Sequence, residues 1–547
     1  MCNVTQVHVT LGDNFQNSAN KIVDHLFTVG LVANGNCGDP TNAPILTLID
    51  TQGVPQVNLT QWMAKRIEVP LSEYTKYARG RETAGRSAKT KNNLGAEPSD
   101  QNVIVYNRTG FFYKVSADLV KKYPSWMIVW EEGQITQPIN FPTRAAVDND
   151  QLVLAMAADL DLSPEGTVTV DGWSNLPASG YDMLMHVGDF AYDIQDLNGT
   201  LGDQFFEKMS ASSARIPYMV AAGNHEDFMD GYMFDYRFRM PNTQVVPSTN
   251  PKSQQNNYFD FVFKGVYFVT MNFDYLLFYN PTGMAQAVAW LEDSMITASN
   301  NPNVQWKVFF THRPIYCNDI QFAADCSVNM YLFKAIEDLL IKYGVQVVLN
   351  GHVHIYSRFY PFSNLTFDNS NTSTVTGIGQ GSYFQVIGGH SGTDHFFPGQ
   401  GLVPQYELPF VANVNLLGSS YCLFNFSGSQ LQFSLIDSAS GSTLDSLTLT
   451  VPGKNSKPNS PNHSTLIIIL SAGVFVVLSL MVYLMTRFGI AAKILERRTT
   501  ENSKPPGVFQ PGQENAKQVV RCLTARRKSS TVSSMRKTTK TCSTHTV

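Results

Sequence analysis

An aspartate and a tyrosine lie three residues apart directly after an apolar run. The run Met183–Val187 is followed by Gly188, Asp189 and, three residues later, Tyr192. If the run is a buried strand, both side chains can turn toward one point above its carboxyl end. A carboxylate can bridge two cations and a phenolate is a hard anionic donor, so the pair favours a trivalent ion such as Fe(III) over a lone Zn(II). Ordinary turns also contain this pattern, so a metal site can be inferred only if other parts of the chain supply further ligands.

Four further apolar runs end in side chains that can bind metal. Residues 152–156, 218–221, 308–310 and 345–349 each have the composition of a short strand. Polar residues delivered from successive strand ends converge on one rim of a sheet, where open α/β folds keep their ligand sites. The candidate residues after these runs are Asp159, Asn224, His225, Glu226, His312, His352 and His354.

Each of these signals has an ordinary structural explanation when taken alone. A single His312 is more often a core or surface histidine, and Asn224-His225 is also typical of turns. His352 and His354 carry more information, because residues i and i+2 of an extended chain share a face and can serve adjacent ions. All five runs in order, each with its polar residues, favour a metal centre.

With these motifs, the sequence resembles the purple acid phosphatases, a branch of the dinuclear metallophosphoesterases. The ordered motifs of that family are D-x-G, G-D-x-x-Y, G-N-H-[D/E], V-x-x-H and G-H-x-H, and residues 159–354 carry them nearly intact. The similarity extends through residues 236–241 and 312–317. The resemblance also implies that the N-terminal part of the chain is the family's fibronectin-III-like domain.

The resemblance implies a role for each residue of the set. Three residues would hold Fe(III): Asp159, Tyr192 and His354. Three others would hold a divalent ion, which would be Fe, Zn or Mn: Asn224, His312 and His352. Asp189 would bridge the two ions, and His225 would contact the phosphate or protonate the leaving alkoxide.

The chemistry expected of such a centre is hydrolysis of phosphate monoesters at acid pH. Two cations side by side clamp phosphoryl oxygens, generate a metal-bound hydroxide as nucleophile and stabilise an in-line displacement. Because Fe(III) acidifies its water more than a divalent ion does, hydroxide persists at low pH. A protonated His225 would add charge compensation and general acid character.

One residue departs from the family pattern. The D-x-G motif reads Asp159-Leu160-Asp161, so a carboxylate replaces the small glycine. In related metallophosphoesterases that lack the tyrosine, this position holds a histidine ligand. Asp161 is therefore either an extra ligand or an acceptor behind the ligands, or it is turned aside on a widened loop. The redox potential and metal preference of the first site depend on which arrangement holds.

The elements that must position these residues fall into two classes. Residues 1–145 alternate short apolar runs with polar, glycine-bearing stretches, which predicts an all-β sandwich with an exposed loop at 77–99. Residues 150–452 alternate strands with helical segments such as 327–343 and then return to strands. This pattern predicts an α/β catalytic domain, a β-sandwich flanked by helices.

The C-terminal part has the composition of a membrane anchor. Residues 453–464 form a Pro-, Asn- and Ser-rich stalk, and residues 465–486 contain no charged side chain. At ~1.5 Å per residue, the second segment crosses a hydrocarbon core of ~30 Å as a helix. Basic residues cluster beyond it, which predicts that the disordered tail 487–547 is cytoplasmic and that the chain is a single-pass type I membrane protein.

Sequons and charge support the same topology. Asn-x-Ser/Thr sequons precede the span and none follows it, which predicts N-linked glycans on a catalytic region outside the cell or inside an acidic, lysosome- or vacuole-like lumen. In the tail, Lys and Arg outnumber Asp and Glu. Because the formal net charge of the whole chain is −4, the residues before the tail are strongly acidic. Nucleic acid is therefore not expected as a partner. The sequons begin at Asn3, Asn58, Asn107, Asn198, Asn364, Asn371, Asn425 and Asn462.

The cysteines and the N-terminus raise two further expectations. Cys317 and Cys326 form either a local disulfide, which an oxidising compartment would allow, or free thiols. Three other cysteines precede the span: Cys2, Cys37 and Cys422. Because Met1 opens directly into an apparent strand, we expect a signal peptide upstream of this sequence.

Two other functions fit part of the pattern. A metallophosphodiesterase or nucleotidase with altered metal preference would share the motifs, but Tyr192 argues against an enzyme that uses only Zn or Mn. A non-catalytic surface receptor that kept the fold is supported only by Asp161, whereas all seven expected ligands are present. His390 and His395 either reach the substrate or lie exposed in their loop.

Overall fold

The computed structural model covers most of the chain up to Val451. It describes residues 3–11, 27–34, 43–59, 61, 63–70, 103–130, 134–146, 151–197, 199–226, 231–242, 256–276, 283–317, 326, 329, 333–363, 366–367, 374–376, 378, 381–392, 411–415 and 418–451. The loop predicted at 77–99 and the predicted stalk, span and tail lie outside these ranges. Within them, no helix has both the length and the apolar character required to cross a bilayer.

The described part of the N-terminal region contains two sheets and two short helices. Its elements are β1 (Asn3–Leu11), β2 (Phe27–Asn34), β3 (Ile45–Ile49), β4 (Pro55–Leu59), β5 (Met63–Pro70), β6 (Val103–Val115), α1 (Ala117–Lys122), β7 (Ser125–Trp130), β8 (Gln134–Ile135), β9 (Ile139–Asn140) and α2 (Thr143–Ala146). One sheet has the order β1-β2-β6-β5 and the other the order β4-β3-β7-β8, with β9 paired to β7. Phe27 of the first sheet and Trp126 of the second both pack on Phe141, with ring centroids 6.2 and 6.1 Å apart.

The second region alternates strands and helices before returning to strands. Its elements are β10 (Gln151–Ala157), α3 (Pro164–Ser174), β11 (Met183–Val187), α4 (Thr200–Ser213), β12 (Tyr218–Ala221), α5 (Tyr232–Asp235), β13 (Tyr258–Phe263), β14 (Val266–Met271), α6 (Met284–Asn300), β15 (Trp306–Phe310), α7 (Lys334–Lys342), β16 (Val347–Asn350), β17 (Tyr356–Phe359), β18 (Phe362–Ser363), β19 (Thr366–Phe367), β20 (Thr374–Thr376), β21 (Phe384–Gly388), β22 (Val411–Asn415), β23 (Ser420–Ser427), β24 (Gln430–Asp437) and β25 (Thr443–Thr450). One sheet has the order β12-β11-β10-β23-β24-β25-β20 and the other β13-β14-β15-β16-β21-β17-β22.

These two sheets stack on each other, and helices cover their outer faces. The alternation in β15 shows the arrangement: Val308 and Phe310 lie in the core between the sheets, whereas Phe309 packs with residues of α6 and α7. On the far side, Trp173 of α3 and Phe205 of α4 pack on the first sheet. The region is thus a mixed α/β sandwich with helices on both faces, as the sequence predicted.

The parallel half of each sheet sends its loops to the candidate site. Strands β10, β11 and β12 run parallel, and so do β14, β15, β16 and β21. The carboxyl ends of parallel strands meet at one edge. The antiparallel strands β23, β24 and β25 extend the first sheet without supplying any of the predicted ligands.

The N-terminal sheet packs directly against the second region. In β1, Gln6, His8 and Thr10 share one face of the strand and are buried, although their side chains are polar. Gln6 donates a hydrogen bond to Asp203 of α4 at 2.6 Å, and the ring of His8 packs on Phe238. Buried apolar residues of both regions belong to one continuous core.

Candidate metal centre

The first predicted ligand set lies together. Tyr192 Oη lies 3.0 Å from Asp159 Oδ1 and 2.8 Å from His354 Nε2, and the latter two atoms are 3.6 Å apart. Asp159 comes from the loop after β10, Tyr192 from the loop after β11, and His354 from the loop after β16. Three strand ends thus bring two oxygens and one ring nitrogen within reach of a single ion.

The second predicted set is assembled around the Asn224 amide oxygen. His312 Nε2 lies 3.2 Å and His352 Nδ1 lies 2.8 Å from Asn224 Oδ1. His312 Nδ1 donates a hydrogen bond to the Val187 carbonyl oxygen at 2.9 Å. Because a carbonyl only accepts, the neutral His312 ring keeps its lone pair on Nε2, which is the form that binds metal.

Asp189 lies where the two sets meet. Its Oδ2 is 3.2 Å from His312 Nε2, and Asp159 Oδ1 of the first set is 3.9 Å from the same nitrogen. Asp189, His312 and His352 each offer a ligand atom within 4.8 Å of the others. Asp189 is thus within reach of an ion at the second set, and its charge is close enough to Asp159 to raise the pKa of that carboxyl.

The electrostatics of the site call for positive charge. Asp159 is fully buried and Asp189 nearly so, and adjacent buried carboxylates are costly without compensation. Burial raises the pKa of Asp159 to about 7, although the charge of His312 opposes the shift. Burial alone would lower the pKa of His312, but the Asp189 and Asp159 carboxylates raise it to about 10. A proton on His312 therefore supplies charge that a metal ion would supply, and the residues fit a metal centre.

The loop that carries Asp189 is held by a residue to which the sequence had assigned no role. Glu226 Oε2 accepts hydrogen bonds from the Asp189 and Gly223 amides, each at 2.8 Å, and Oε1 accepts one from Phe190 at 2.9 Å. Asp189 and Tyr192 have left-handed backbone angles, with φ of 56° and 42°. Such conformations cost roughly 1–3 kcal/mol each and persist only when neighbouring contacts hold them. The buried Glu226 carboxylate supplies such contacts.

Two glycines are required because their neighbours are the candidate ligands. A Cβ on Gly223 would overlap Asp189 Oδ1 and lie 2.7 Å from the Asp189 amide nitrogen. A Cβ on Gly188 would lie 2.5 Å from His312 Nδ1, and the residue has φ +84°. The glycines of the G-D and G-N-H motifs thus leave room for the side chains beside them.

Asp193, which is not among the candidates from the sequence, orients His225. Asp193 Oδ1 lies 2.7 Å from His225 Nδ1, and because a carboxylate accepts, Nδ1 carries the proton. His225 Nε2 lies on the metal side, 3.8 Å from Asp189 Oδ2. Burial would lower the pKa of His225, but the Asp189 and Asp193 carboxylates raise it to about 9. Asp193 follows Tyr192 in a turn, and nothing in the local pattern distinguishes it from a surface acid.

Asp161 and His390 lie in the loops next to the site. Asp161 Oδ1 accepts hydrogen bonds from the backbone nitrogen of Ser163 at 3.0 Å and from its hydroxyl at 2.6 Å. Ser163 caps α3, so Asp161 Oδ1 contacts the residue at which this helix begins. His390 is buried rather than exposed, and His395 lies outside the described residues.

The cysteines partly follow the expected pattern. Cys317 and Cys326 form a disulfide nine residues apart in sequence, just after the loop that carries His312. Cys422 is a buried free thiol in the part of the chain that the structure describes. Cys2 and Cys37 lie outside that part.

Comparison with known proteins matches the central region to one family. Residues 168–356 match the model of the calcineurin-like phosphoesterases. The chain is 27% identical over 202 residues to human acid phosphatase type 7, which covers 35% of this chain and 44% of that protein. It is 26% identical over 309 residues to purple acid phosphatase 23 of Arabidopsis thaliana, covering 52% of this chain and 63% of the relative. The chain thus spans less than half of the human relative and just under two thirds of the plant one.

The fold has a counterpart among solved structures. The purple acid phosphatase PPD1 from yellow lupin seeds aligns with a TM-score of 0.56 over 84% of this chain and 77% of that one, at 15% identity. At this identity the likeness concerns the fold alone. Residues 168–356 thus match the calcineurin-like phosphoesterase model, and the sequence relatives include acid and purple acid phosphatases.

Proposed function

We propose that the chain hydrolyses phosphate monoesters at acid pH with a dinuclear centre of Fe(III) and a divalent ion. The observation that carries the proposal is the Tyr192 hydroxyl, which lies within 3.0 Å of both Asp159 Oδ1 and His354 Nε2. A phenolate among oxygen donors favours a trivalent iron. The names of the sequence relatives support phosphate ester hydrolysis.

Each predicted ligand has a place in this centre. The Fe(III) would be held by Asp159, Tyr192 and His354. The divalent ion, which would be Fe, Zn or Mn, would be held by Asn224, His312 and His352. Asp189 would bind both ions. When bound, two such ions supply Lewis acidity toward phosphoryl oxygens and lower the pKa of a water. Glu226 holds the amides of the Asp189 loop, so the bridging carboxylate keeps its direction.

His225 is suited to the leaving group. Asp193 fixes the Nδ1 proton, so Nε2 is the ring nitrogen left to face the substrate. In its protonated form His225 can donate a proton from Nε2 to the departing alkoxide oxygen. The carboxylates around the ring favour the protonated form, which suits activity in acid.

The location of the enzyme is part of the proposal. We place the catalytic region on the luminal or extracellular side of a single-pass type I membrane protein, behind a fibronectin-III-like domain. The uncharged segment 465–486 and the one-sided sequons support this topology. The Asn58 side chain is exposed on the N-terminal region, where a glycan could be attached. The disulfide between Cys317 and Cys326 is compatible with an oxidising compartment.

Tyr192→Phe tests the proposal directly. We expect the purified wild type to hold two metal ions, to show a tyrosinate-to-iron absorption band and to turn over p-nitrophenyl phosphate best at about pH 4–6. The variant should lose the band and most of the turnover, because only the hydroxyl is removed. Metal analysis, the visible spectrum and turnover of mono- and bis-p-nitrophenyl phosphate from about pH 4 to about pH 8 give the readout.

Tyr218→Phe is the matched control for this experiment. Its hydroxyl is buried and bonded to His186 at 2.8 Å, but it is not among the predicted ligands, so the band should remain. If the wild type holds two metal ions and turns over the diester but shows no absorption band, the chain is a diesterase that uses divalent metals, and the proposal is wrong. Folded protein with neither metal nor turnover would leave a receptor with the fold of an enzyme.

Asp193→Asn should reveal the role of His225 through the leaving group. The amide no longer favours the protonated, correctly oriented ring, so kcat for an alkyl phosphate should fall by about 100-fold or more. The fall for p-nitrophenyl phosphate should be much smaller, because p-nitrophenolate leaves without protonation. Metal content serves as the control and should not change. Equal losses on both substrates would show that His225 does not act as a general acid.

A further inference from the structure

A buried ion pair lies behind the second ligand set. Arg313 directly follows His312, and its guanidinium donates to Asp274 Oδ1 from Nε at 3.0 Å and from Nη2 at 2.6 Å. Its remaining terminal nitrogen, Nη1, lies 2.9 Å from His352 Nε2. Asp274, Arg313 and His352 come from the loops after β14, β15 and β16, which are adjacent strands, and all three are buried.

The contact with His352 is unusual for a metal-binding histidine. The ring nitrogen that does not bind the metal normally donates to a carboxylate or a carbonyl oxygen, as His312 Nδ1 does to Val187. A guanidinium has only donors and keeps its charge at any accessible pH. His352 therefore has a fixed cation where its counterpart His312 has an acceptor. A neutral His352 ring that accepts from Nη1 at Nε2 carries its proton on Nδ1, the nitrogen that faces Asn224 Oδ1, so this contact competes with metal binding there.

The charges of the neighbouring ligands determine how strongly this cation affects a bound metal ion. As metal ligands, Asn224, His312 and His352 would be neutral, and of the predicted ligands at the second site only Asp189 would bring negative charge. The first set contains the Asp159 carboxylate and the Tyr192 phenol. A positive charge beside neutral ligands opposes a bound cation in a buried, weakly screened site. Asp274 offsets part of that charge but lies on the far side of the guanidinium from His352.

We propose that Arg313, held by Asp274, places a fixed positive charge against His352 and thereby weakens binding of the ion at the second site. The inference rests on the proposed two-metal centre. Asp274 then tunes the affinity, because it determines how much of the guanidinium charge the site experiences.

The test is the dissociation constant for Zn²⁺ at the second site of the full-length chain, measured by competition with a chelator. Arg313→Gln should bind Zn²⁺ about tenfold more tightly than the wild type, because the opposing charge is gone. Asp274→Asn should bind it about tenfold more weakly, because the guanidinium is left uncompensated. Arg313→Lys keeps the charge and should stay within about threefold of the wild type.

The opposite signs separate this proposal from a merely structural role. If the Asp274 and Arg313 pair only supports the loop, both neutralising variants should weaken Zn²⁺ binding, and this result would overturn the proposal. If Arg313→Gln does not fold, Arg313→Met removes the same charge and should tighten Zn²⁺ binding in the same way. A wild type that binds no second ion would contradict the proposed function instead, before any variant is compared.

Arg358 provides a matched control. It is also a buried arginine paired with an aspartate, Asp445, at 2.6 Å, but it lies on β17 against β25 and contacts no predicted ligand among the described residues. Arg358→Gln removes the same charge and should leave the Zn²⁺ dissociation constant unchanged. Tighter Zn²⁺ binding in this variant as well would show a general charge effect and overturn the assignment to Arg313.

Discussion

Replacing Gly223 with alanine is expected to abolish metal binding. The turnover rate should then fall by at least about three orders of magnitude. The methyl group would overlap Asp189 Oδ1 and approach the Asp189 amide nitrogen to 2.7 Å. Neither neighbour can move freely, because Glu226 Oε2 holds that amide and the His225 amide holds Oδ1. The Asp189 carboxylate must turn away, and the proposed centre would lose the residue that both ligand sets share. Metal analysis of the purified variant measures the loss.

Gly172→Ala is the control for that substitution. Gly172 lies inside α3, and an added Cβ would meet only the Ser438 carbonyl oxygen at an ordinary 3.7 Å. Alanine in a helix interior is favoured over glycine by about 0.5–1 kcal/mol, so this variant should be slightly more stable and fully metallated. Normal metal content in Gly223→Ala would show that Asp189 does not need its observed direction.

Removing the carboxylate of Asp203 should lower the free energy of unfolding by about 3–5 kcal/mol, because two buried guanidiniums would lose their counter-charge. Asp203 accepts from Arg108 at 2.7 Å, from Arg237 at 3.0 Å and from Gln6 at 2.6 Å. Arg108 and Gln6 belong to the N-terminal sheet, so the cluster joins the two regions. Asp203→Asn, compared with the wild type by urea unfolding, measures the effect.

The effect of Asp203 should depend on pH in a defined direction. Burial would raise its pKa, but Arg237 and Arg108 hold it below the ordinary value. A carboxyl with a depressed folded-state pKa stabilises the protein above the unfolded pKa of about 3.9 and loses that contribution as the pH falls through its folded value. The gap between wild type and Asp203→Asn should therefore be full at about pH 7 and close in stronger acid.

An exposed pair on the neighbouring helices gives the control for Asp203. Lys208 and Asp171 are 3.2 Å apart with side chains 45% and 59% exposed. Pairs of this kind contribute about 0–1 kcal/mol, so Asp171→Asn should change the unfolding free energy very little. A similarly small effect of Asp203→Asn would show that the buried cluster does not hold the two regions together.

The strand ends of the candidate site could be predicted because their signals are local. The runs at 183–187 and 218–221 are the observed strands β11 and β12 to the residue. Apart from His186 both runs lack strongly polar residues, and every residue in them is buried, as expected for parallel strands covered on both faces. Because the carboxyl ends of parallel strands meet at one edge of a sheet, the polar residues after these runs are expected to lie together. The structure brings all seven candidate ligands into two adjoining sets.

Features that depend on distant contacts could not be predicted in this way. Glu226, Asp193 and Arg313 contact the candidate ligands across different loops, and their own sequence neighbours do not indicate these contacts. Strand β1 alternates as a half-solvated strand would, yet its polar face is buried because α4 covers it. The helix predicted at 327–343 is described from Lys334 to Lys342, and most of its expected first turns lie outside the described residues.

The continuous core of the N-terminal sheets and the catalytic sandwich has a consequence for how the protein loses its structure. Two modules joined by a linker would melt in separate steps, whereas regions that share one core and a buried charge cluster unfold cooperatively. A calorimetric scan should then show one transition for both. An excised catalytic region would expose the apolar surface that the N-terminal sheet now covers, and it would aggregate instead of serving as a minimal enzyme.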